Sequence, residues 1–137
     1  MSHNPDALWK VDFYREADGT LPVRTWMDGL PEDIRGKAIG RIELLKQGGP
    51  TLDYPYTSQI EGRLREVRLR MGKRRYRVLY FFDEERTAIL LHGFTKDTAA
   101  VEEADKRIAR ERMEEHQVRL AAKRKSSGGK RSGEEHR

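Results

Sequence analysis

The sequence predicts an α+β domain in which a small antiparallel sheet is packed by a helical hairpin and closed by a C-terminal helix. Three observations predict it. Residues 9–14 alternate apolar and polar side chains as a half-buried strand does. Residues 22–48 carry apolar positions at helical spacing in two runs separated by Gly29-Leu30-Pro31. Residues 64–94 hold three closely spaced strand-like runs before a long charged stretch of helical period.

Each element has its own reason. In WKVDFY, Trp9, Val11 and Phe13 share one face, and Asp18-Gly19 marks the turn that follows. Pro22 suits a first helical turn, where its missing N–H is no loss, and Val23, Trp26, Met27 and Leu30 make one stripe. From Glu32 the stripe is Ile34, Ala38, Ile39, Ile42 and Leu45, with acids in the first turn and Gly48-Gly49-Pro50 as the stop. Residues 51–58, with two Tyr and one Pro, read as an ordered loop. In residues 64–71, Val67, Leu69 and Met71 oppose Glu66, Arg68 and Arg70, and Gly72-Lys73 turns the chain. Residues 76–82 are aromatic and β-branched enough for a central strand, closed by Asp83-Glu84-Glu85. Residues 87–94 make a third strand, buried on both faces at Ala88 to Leu91. Residues 95–120 then form a long helix with Ala100, Ala104, Ile108 and Met113 inward. The domain is expected to span residues 1–120. Residues 121–137, KRKSSGGKRSGEEHR at their core, can bury nothing and read as a disordered basic tail.

Composition narrows the function classes. The 137 residues are 36% hydrophobic and 37% charged, which suits one core under a very polar surface. There is no Cys, so disulfides and thiolate metal sites are excluded. Neither a signal-like start nor an apolar run of membrane-spanning length occurs, so the cytoplasm is the expected compartment and no membrane contact is expected. Net charge is +5. From Ile60 to Arg77, eight Lys/Arg face only Glu61 and Glu66, a net +6, and from Arg119 onward seven Lys/Arg face Glu134 and Glu135, a net +5. The rest of the chain is therefore acidic, and positive charge is concentrated in two places, one of them an expected sheet. That distribution suits a polyanion, although a solvated charge run is the plainer alternative.

The residues that could carry chemistry are few. His3, His92, His116 and His136 are scattered without metal-ligand spacing, no GxxxxGK[ST] loop exists to cradle phosphates, and Ser58 has no patterned base. No cofactor or metal is expected. The basic strands remain, with Arg68 and Arg70 projecting at a spacing suited to successive phosphates. Arg77 interrupts an apolar run, and it reads either as an ion-pair partner of Glu66 or as a phosphate clamp. His92, at the end of an apolar strand, is either a hydrogen-bonded structural residue or a general acid/base. Lys96 stands just past that strand, at the expected helix start, where it could equally be a plain surface residue.

The string LREVRLRMGKRRYRVLYFFDEERTAILLHGFTKDT resembles the signature of HigB-like toxins, often phage-derived, within the RelE/ParE superfamily. Its most specific parts are Glu66-Val67-Arg68, Tyr76-Arg77-Val78 and Leu91-His92-Gly93-Phe94-Thr95-Lys96, and the likeness in element order covers residues 9–113. The resemblance implies a RelE-like fold and the toxin of a type II toxin–antitoxin system. Such a toxin is commonly a metal-independent messenger-RNA endoribonuclease acting on translating ribosomes, silenced by an antitoxin that typically carries a helix-turn-helix. It implies Arg77 and Lys96 as cleft residues, with Arg68 beside them, while the residues themselves add His92 as a third catalytic candidate and Arg68, Arg70, Lys73, Arg74 and Arg75 as the RNA-binding set. Two features depart from the pattern: Asp97 replaces a second Lys, and the last helix has no Tyr. Two other readings share these residues, a gyrase-poisoning toxin of the ParE type and a non-enzymatic RNA- or ribosome-binding module.

Overall fold

The computed structural model describes residues 8–97 and 101–135. In chain order it has β1 (Lys10–Phe13), α1 (Pro22–Asp28), α2 (Glu32–Gly48), a 3-10 turn at Gly49–Thr51, β2 (Thr57–Glu61), β3 (Leu64–Met71), β4 (Arg74–Phe82), β5 (Thr87–Lys96) and α3 (Glu103–Glu135). The α+β class and the order of helical hairpin, strands and closing helix match the expectation, in a RelE-like arrangement.

The sheet differs from that expectation in two respects. Its five strands run in the order β1-β5-β4-β3-β2, and β1 lies parallel to β5, with Lys10 opposite Thr87 and Phe13 opposite Leu90. The sheet is therefore mixed, not purely antiparallel. After β1 the chain crosses over one face through α1 and α2 and re-enters at the far edge, the kind of long connection that parallel neighbours require. The second difference is β2, which occupies part of the expected loop and pairs antiparallel with β3 from Thr57 opposite Val67. The expected three-strand meander is thus the last three strands of a four-strand one.

Two apolar clusters lie on opposite faces of the sheet. Val23, Met27, Leu30, Ile34, Ala38 and Leu45 of the helical hairpin pack on Val67, Leu69, Tyr76, Val78, Tyr80, Ala88 and Leu90. On the other face Leu64, Leu79, Phe81, Ile89, Leu91 and Phe94 meet Tyr14 and Ala109, with Val101 and Met113 beside them. β4 and β5 are buried from both sides, which is why they read as near-continuous apolar runs. Truncating a fully buried residue such as Ile34 to Ala would cost about 2–5 kcal/mol. Ile39, expected in the α2 stripe, is 53% exposed, because the buried line runs through Ile34, Ala38 and Leu45 and position 39 turns away from it.

The Leu91-to-Lys96 run has a physical basis in the strand alternation. A Cβ on Gly93 would stand 2.4 Å from the Trp26 ring of α1, so this position must stay bare for α1 to lie on the sheet. His92 and Phe94 turn to the α3 side instead, where their rings stack with centroids 5.4 Å apart. β5 also continues through Thr95 and Lys96, paired with Tyr76 and Arg75. Lys96 is therefore a strand residue, and α3 starts at Glu103 instead of at residue 95. The inner stripe moves accordingly: Asp105 and Ala109 are buried, Ala104 is exposed, and Ala100 lies outside the described residues. The helical backbone runs on to Glu135, past the end at Leu120 that the sequence pattern predicts.

Candidate nucleic-acid interface

Strand register brings the cationic residues together. Arg68 of β3 stands opposite Arg77 of β4, which stands opposite Phe94 of β5. One step toward the β3–β4 turn, Arg70, Arg75 and Lys96 form a second row across the same three strands. His92, opposite Leu79, is two residues before Phe94 and shares its face. The sequence-derived candidates Arg68, Arg70, Arg75, Arg77, His92 and Lys96 thus lie on one face of the sheet, the face that carries α3. Lys73 and Arg74 stay exposed on the turn, with Arg74 Nε 3.9 Å from Asp97. Like charges directly opposite one another destabilise a sheet.

One buried carboxylate offsets part of this charge. The side chains of Glu66 and Arg77 are each 4% exposed, with Arg77 Nε 3.0 Å from Glu66 Oε1. The two atoms sit as an ion pair without the alignment of a hydrogen bond. The other oxygen, Oε2, accepts from Arg68 Nη1 at 3.0 Å and from Ser58 Oγ at 2.6 Å. Arg77 therefore does pair with Glu66, as one of its two sequence readings has it. Burial pulls the Arg77 pKa below its usual value, Glu66 acts against that, and Arg68 and Arg75 add to it. A guanidinium stays charged under such a shift, so the cost of burial falls on stability.

A second carboxylate gathers the other two candidates. His92 Nε2 lies 2.9 Å from Asp105 Oδ1, and Lys96 Nζ lies 3.5 Å from Asp105 Oδ2 and 3.0 Å from Glu102 Oε1. Asp105 Oδ2 is buried and has no hydrogen bond. The Lys96 pKa is raised, first by its bond to Glu102, so at neutral pH it is an ammonium and cannot serve as a base. Asp105 was not foreseen from the sequence. Its signal was an acid on the inward stripe of α3, legible only once the helix is phased from Glu103.

A basin of about 320 Å³ opens beside the first row, lined by Arg41, Tyr54, Pro55, Arg68, Arg70, Arg75 and Arg77 together with Leu69. It exists because β2 is short. Beyond Val67 no strand among the described residues covers the β3 edge, and two α2 side chains reach over it instead: Arg41 Nε donates to Arg68 O and Lys37 Nζ to Arg70 O, each at 3.4 Å. Cations on an open edge also keep other strands from pairing there. Arg41 and Tyr54 come from segments that the sequence assigned only to packing and to a loop.

The family model "Phage derived protein Gp49-like (DUF891)" matches residues 25–114, more than half of the chain. The chain belongs to this family. Among the proteins similar to this Gp49-like chain are two from Mycobacterium tuberculosis (strain ATCC 25618 / H37Rv). "Putative toxin HigB2" is 28% identical over 93 residues, which are 64% of this chain and 43% of that protein. "Putative toxin HigB3" is 35% identical over 78 residues, 54% of this chain and 67% of that protein. The chain thus spans less than half the length of the first. In this Gp49-like chain the matched segment contains both cationic rows, Glu66, His92 and Asp105, whereas β1 and α3 beyond Glu114 fall outside it.

Proposed function

We propose that this Gp49-like chain is the toxin of a toxin–antitoxin pair and that it cleaves RNA. The observation that carries the reading is the pair of cross-strand rows, Arg68–Arg77 and Arg70–Arg75–Lys96, which set five cations on one sheet face beside an open basin. A sheet bears such stacked like charge at a cost, and a polyanion relieves it. The relatives carry the word toxin in their names, which favours the same role here. The binding set is Arg68, Arg70 and Arg75, with Lys73 and Arg74 at the turn and RNA as the partner, free or on translating ribosomes in the cytoplasm.

The chemistry these side chains suit is attack by the RNA 2′-hydroxyl on the adjacent phosphorus. The 2′-oxygen forms a bond to phosphorus, the bond to the 5′-oxygen breaks, and the ends are a 2′,3′-cyclic phosphate and a 5′-hydroxyl. The 2′-hydroxyl proton must leave and the 5′-oxygen must gain one. With Nε2 bonded to Asp105, His92 has Nδ1 without a hydrogen bond among the described residues, the nitrogen that would make that transfer. Lys96 and Arg77 supply fixed positive charge for the phosphoryl oxygens. The antitoxin is a protein with a helix-turn-helix, as the family resemblance implies, that covers the Arg68/Arg70/Arg77 face with acidic groups or holds α3 away from it.

One observation favours a second reading, binding without cleavage: Arg77, His92 and Lys96 are each already engaged by an internal carboxylate. End-labelled messenger RNA incubated with the protein, with and without translating ribosomes, separates the two. Cyclic-phosphate ends that vanish in Lys96→Gln and His92→Gln support the nuclease. Intact RNA in every condition, with binding retained, moves the assignment to a binding module, and inhibition of gyrase supercoiling moves it to the ParE type.

A further inference from the structure

Tyr54 is 70% exposed, more than any other large apolar side chain among the described residues. Its position is nonetheless fixed. Asp53 O accepts from Tyr56 N at 3.0 Å and Thr57 N at 3.2 Å, Asp53 Oδ1 accepts from Tyr54 N at 2.8 Å, and the buried Thr57 hydroxyl donates to Leu52 O at 2.6 Å. A pinned turn that holds an aromatic ring out into water calls for an explanation beyond packing. The Arg68 guanidinium carbon stands 5.2 Å from the Tyr54 ring centroid, and that of Arg41 stands 4.7 Å from the Tyr56 ring. The one carboxylate on this turn, Asp53, lies 3.9 Å from Arg65 and is tied to its own backbone, and among the described residues no carboxylate lines the basin.

We propose that Tyr54 is a base-stacking platform: an unpaired nucleobase of RNA lies on its ring while the adjoining phosphate sits between Arg41 and Arg68. The inference rests on the RNA reading above and adds to it a subsite with its own ligand chemistry. The basin of about 320 Å³ has room for one nucleotide. Aromatic rings and guanidiniums set beside a cationic groove are the means by which single strands are gripped without reading sequence. A duplex keeps its base faces inside the stack, so this subsite takes single strands and refuses helices.

The test uses a 2′-O-methyl oligoribonucleotide, which lacks the attacking hydroxyl, carrying 2-aminopurine as a stacking reporter. Expected with the full chain is quenching of the reporter at one position of the oligonucleotide. Tyr54→Ala should abolish that quenching and weaken binding about ten-fold, and Tyr54→Phe should keep both. Arg68→Gln should weaken binding and lower the salt dependence by about one phosphate contact. The same sequence as duplex RNA should show no dependence on Tyr54, and a DNA strand of that sequence distinguishes base stacking from recognition of the ribose. Unchanged quenching and affinity in a folded Tyr54→Ala protein, with Arg70→Glu still weakening binding, would overturn the platform and leave RNA binding standing. No binding by the unaltered protein in low salt would overturn both.

Discussion

Glu66 is the carboxylate on which the cationic face depends. Two arginines and Ser58 converge on it, and its exposure of 4% means that every lost partner is felt at low dielectric. Removing one member of a buried ion pair costs about 3–5 kcal/mol, because a charge is left behind unpaired. Glu66→Ala is expected at that level in urea unfolding, since Arg77 would then face Arg68 with nothing between them. Arg77→Ala should cost less, because Glu66 keeps Arg68 and Ser58. A larger loss in Arg77→Ala than in Glu66→Ala would contradict this account of the cluster. The sequence made the Glu66–Arg77 contact legible as one of two readings, because both residues sit on neighbouring strands at matching parity. It did not show Asp105, whose part depends on the phase of α3. If the chain cleaves RNA as proposed and Asp105 orients His92, Asp105→Asn should slow that cleavage about 100-fold and change its pH profile while leaving RNA affinity unchanged. A variant with unaltered rate and profile would reduce Asp105 to a packing residue.

At the scale of elements, legibility followed hydrophobic content. α1, α2, β3, β4 and β5 each bury enough apolar surface to impose a period, and each was located from the sequence. β2 was not, because TSQIE buries only Thr57 fully and partly covers Ile60, leaving too few apolar positions to alternate. The parallel pairing of β1 was hidden for another reason: four residues specify a strand but not its neighbour. The sequence pattern starts α3 too early because Thr95 and Lys96 complete a strand whose partners, Tyr76 and Arg75, stand on β4, far away in sequence. α3 is tied to the edge strand through Arg110, which donates to Glu61 and Glu103 at 2.8 Å each. Its bond to Arg110 holds the Glu103 carboxyl below its usual range. A carboxylate whose folded pKa is depressed contributes stability above its unfolded pKa, and loses it as pH falls through the folded value. The melting temperature of Glu103→Gln should therefore lie slightly below that of the unaltered protein at pH 6, with the gap closing as acid protonates the Glu103 carboxylate. The site is exposed, so salt should shrink the gap at pH 6 as well. A gap that widens on acidification would exclude this linkage.

The whole molecule is three layers, with the hairpin of α1 and α2 on one face of the sheet and α3 on the other, and α3 is what closes the second core. Its attachment is distributed along its length: Asp105 on His92, Ala109 in the apolar cluster, Arg112 on Leu91 O at 2.7 Å, and His116 on Asp83 Oδ2 at 3.0 Å. The guanidinium of Arg119 lies over Tyr14 at 5.2 Å. Beyond Leu120 the described side chains include only Arg124 in ion pairing, with Glu84 and Glu85, both of them exposed. Exposed pairs of that kind contribute about 0–1 kcal/mol. A chain ending at Leu120 should therefore melt within a few degrees of the full one and, under the proposed function, bind RNA with the same salt dependence and remain open to neutralisation. A chain ending at Glu115 differs physically, not merely in length. It removes His116 from Asp83, whose side chain is 3% exposed, and takes away one of the two guanidiniums over the Tyr14 ring, leaving Arg112. A buried carboxylate that loses one of its partners costs about 1–3 kcal/mol, even though Asp83 Oδ1 still accepts from Glu85 N and Thr87 N. Calorimetry and anisotropy on the two truncations would decide between these accounts. Equal melting of both would mean that α3 is held only by its first turns, and lost RNA binding in the longer one would place part of the interface on the basic segment after Leu120.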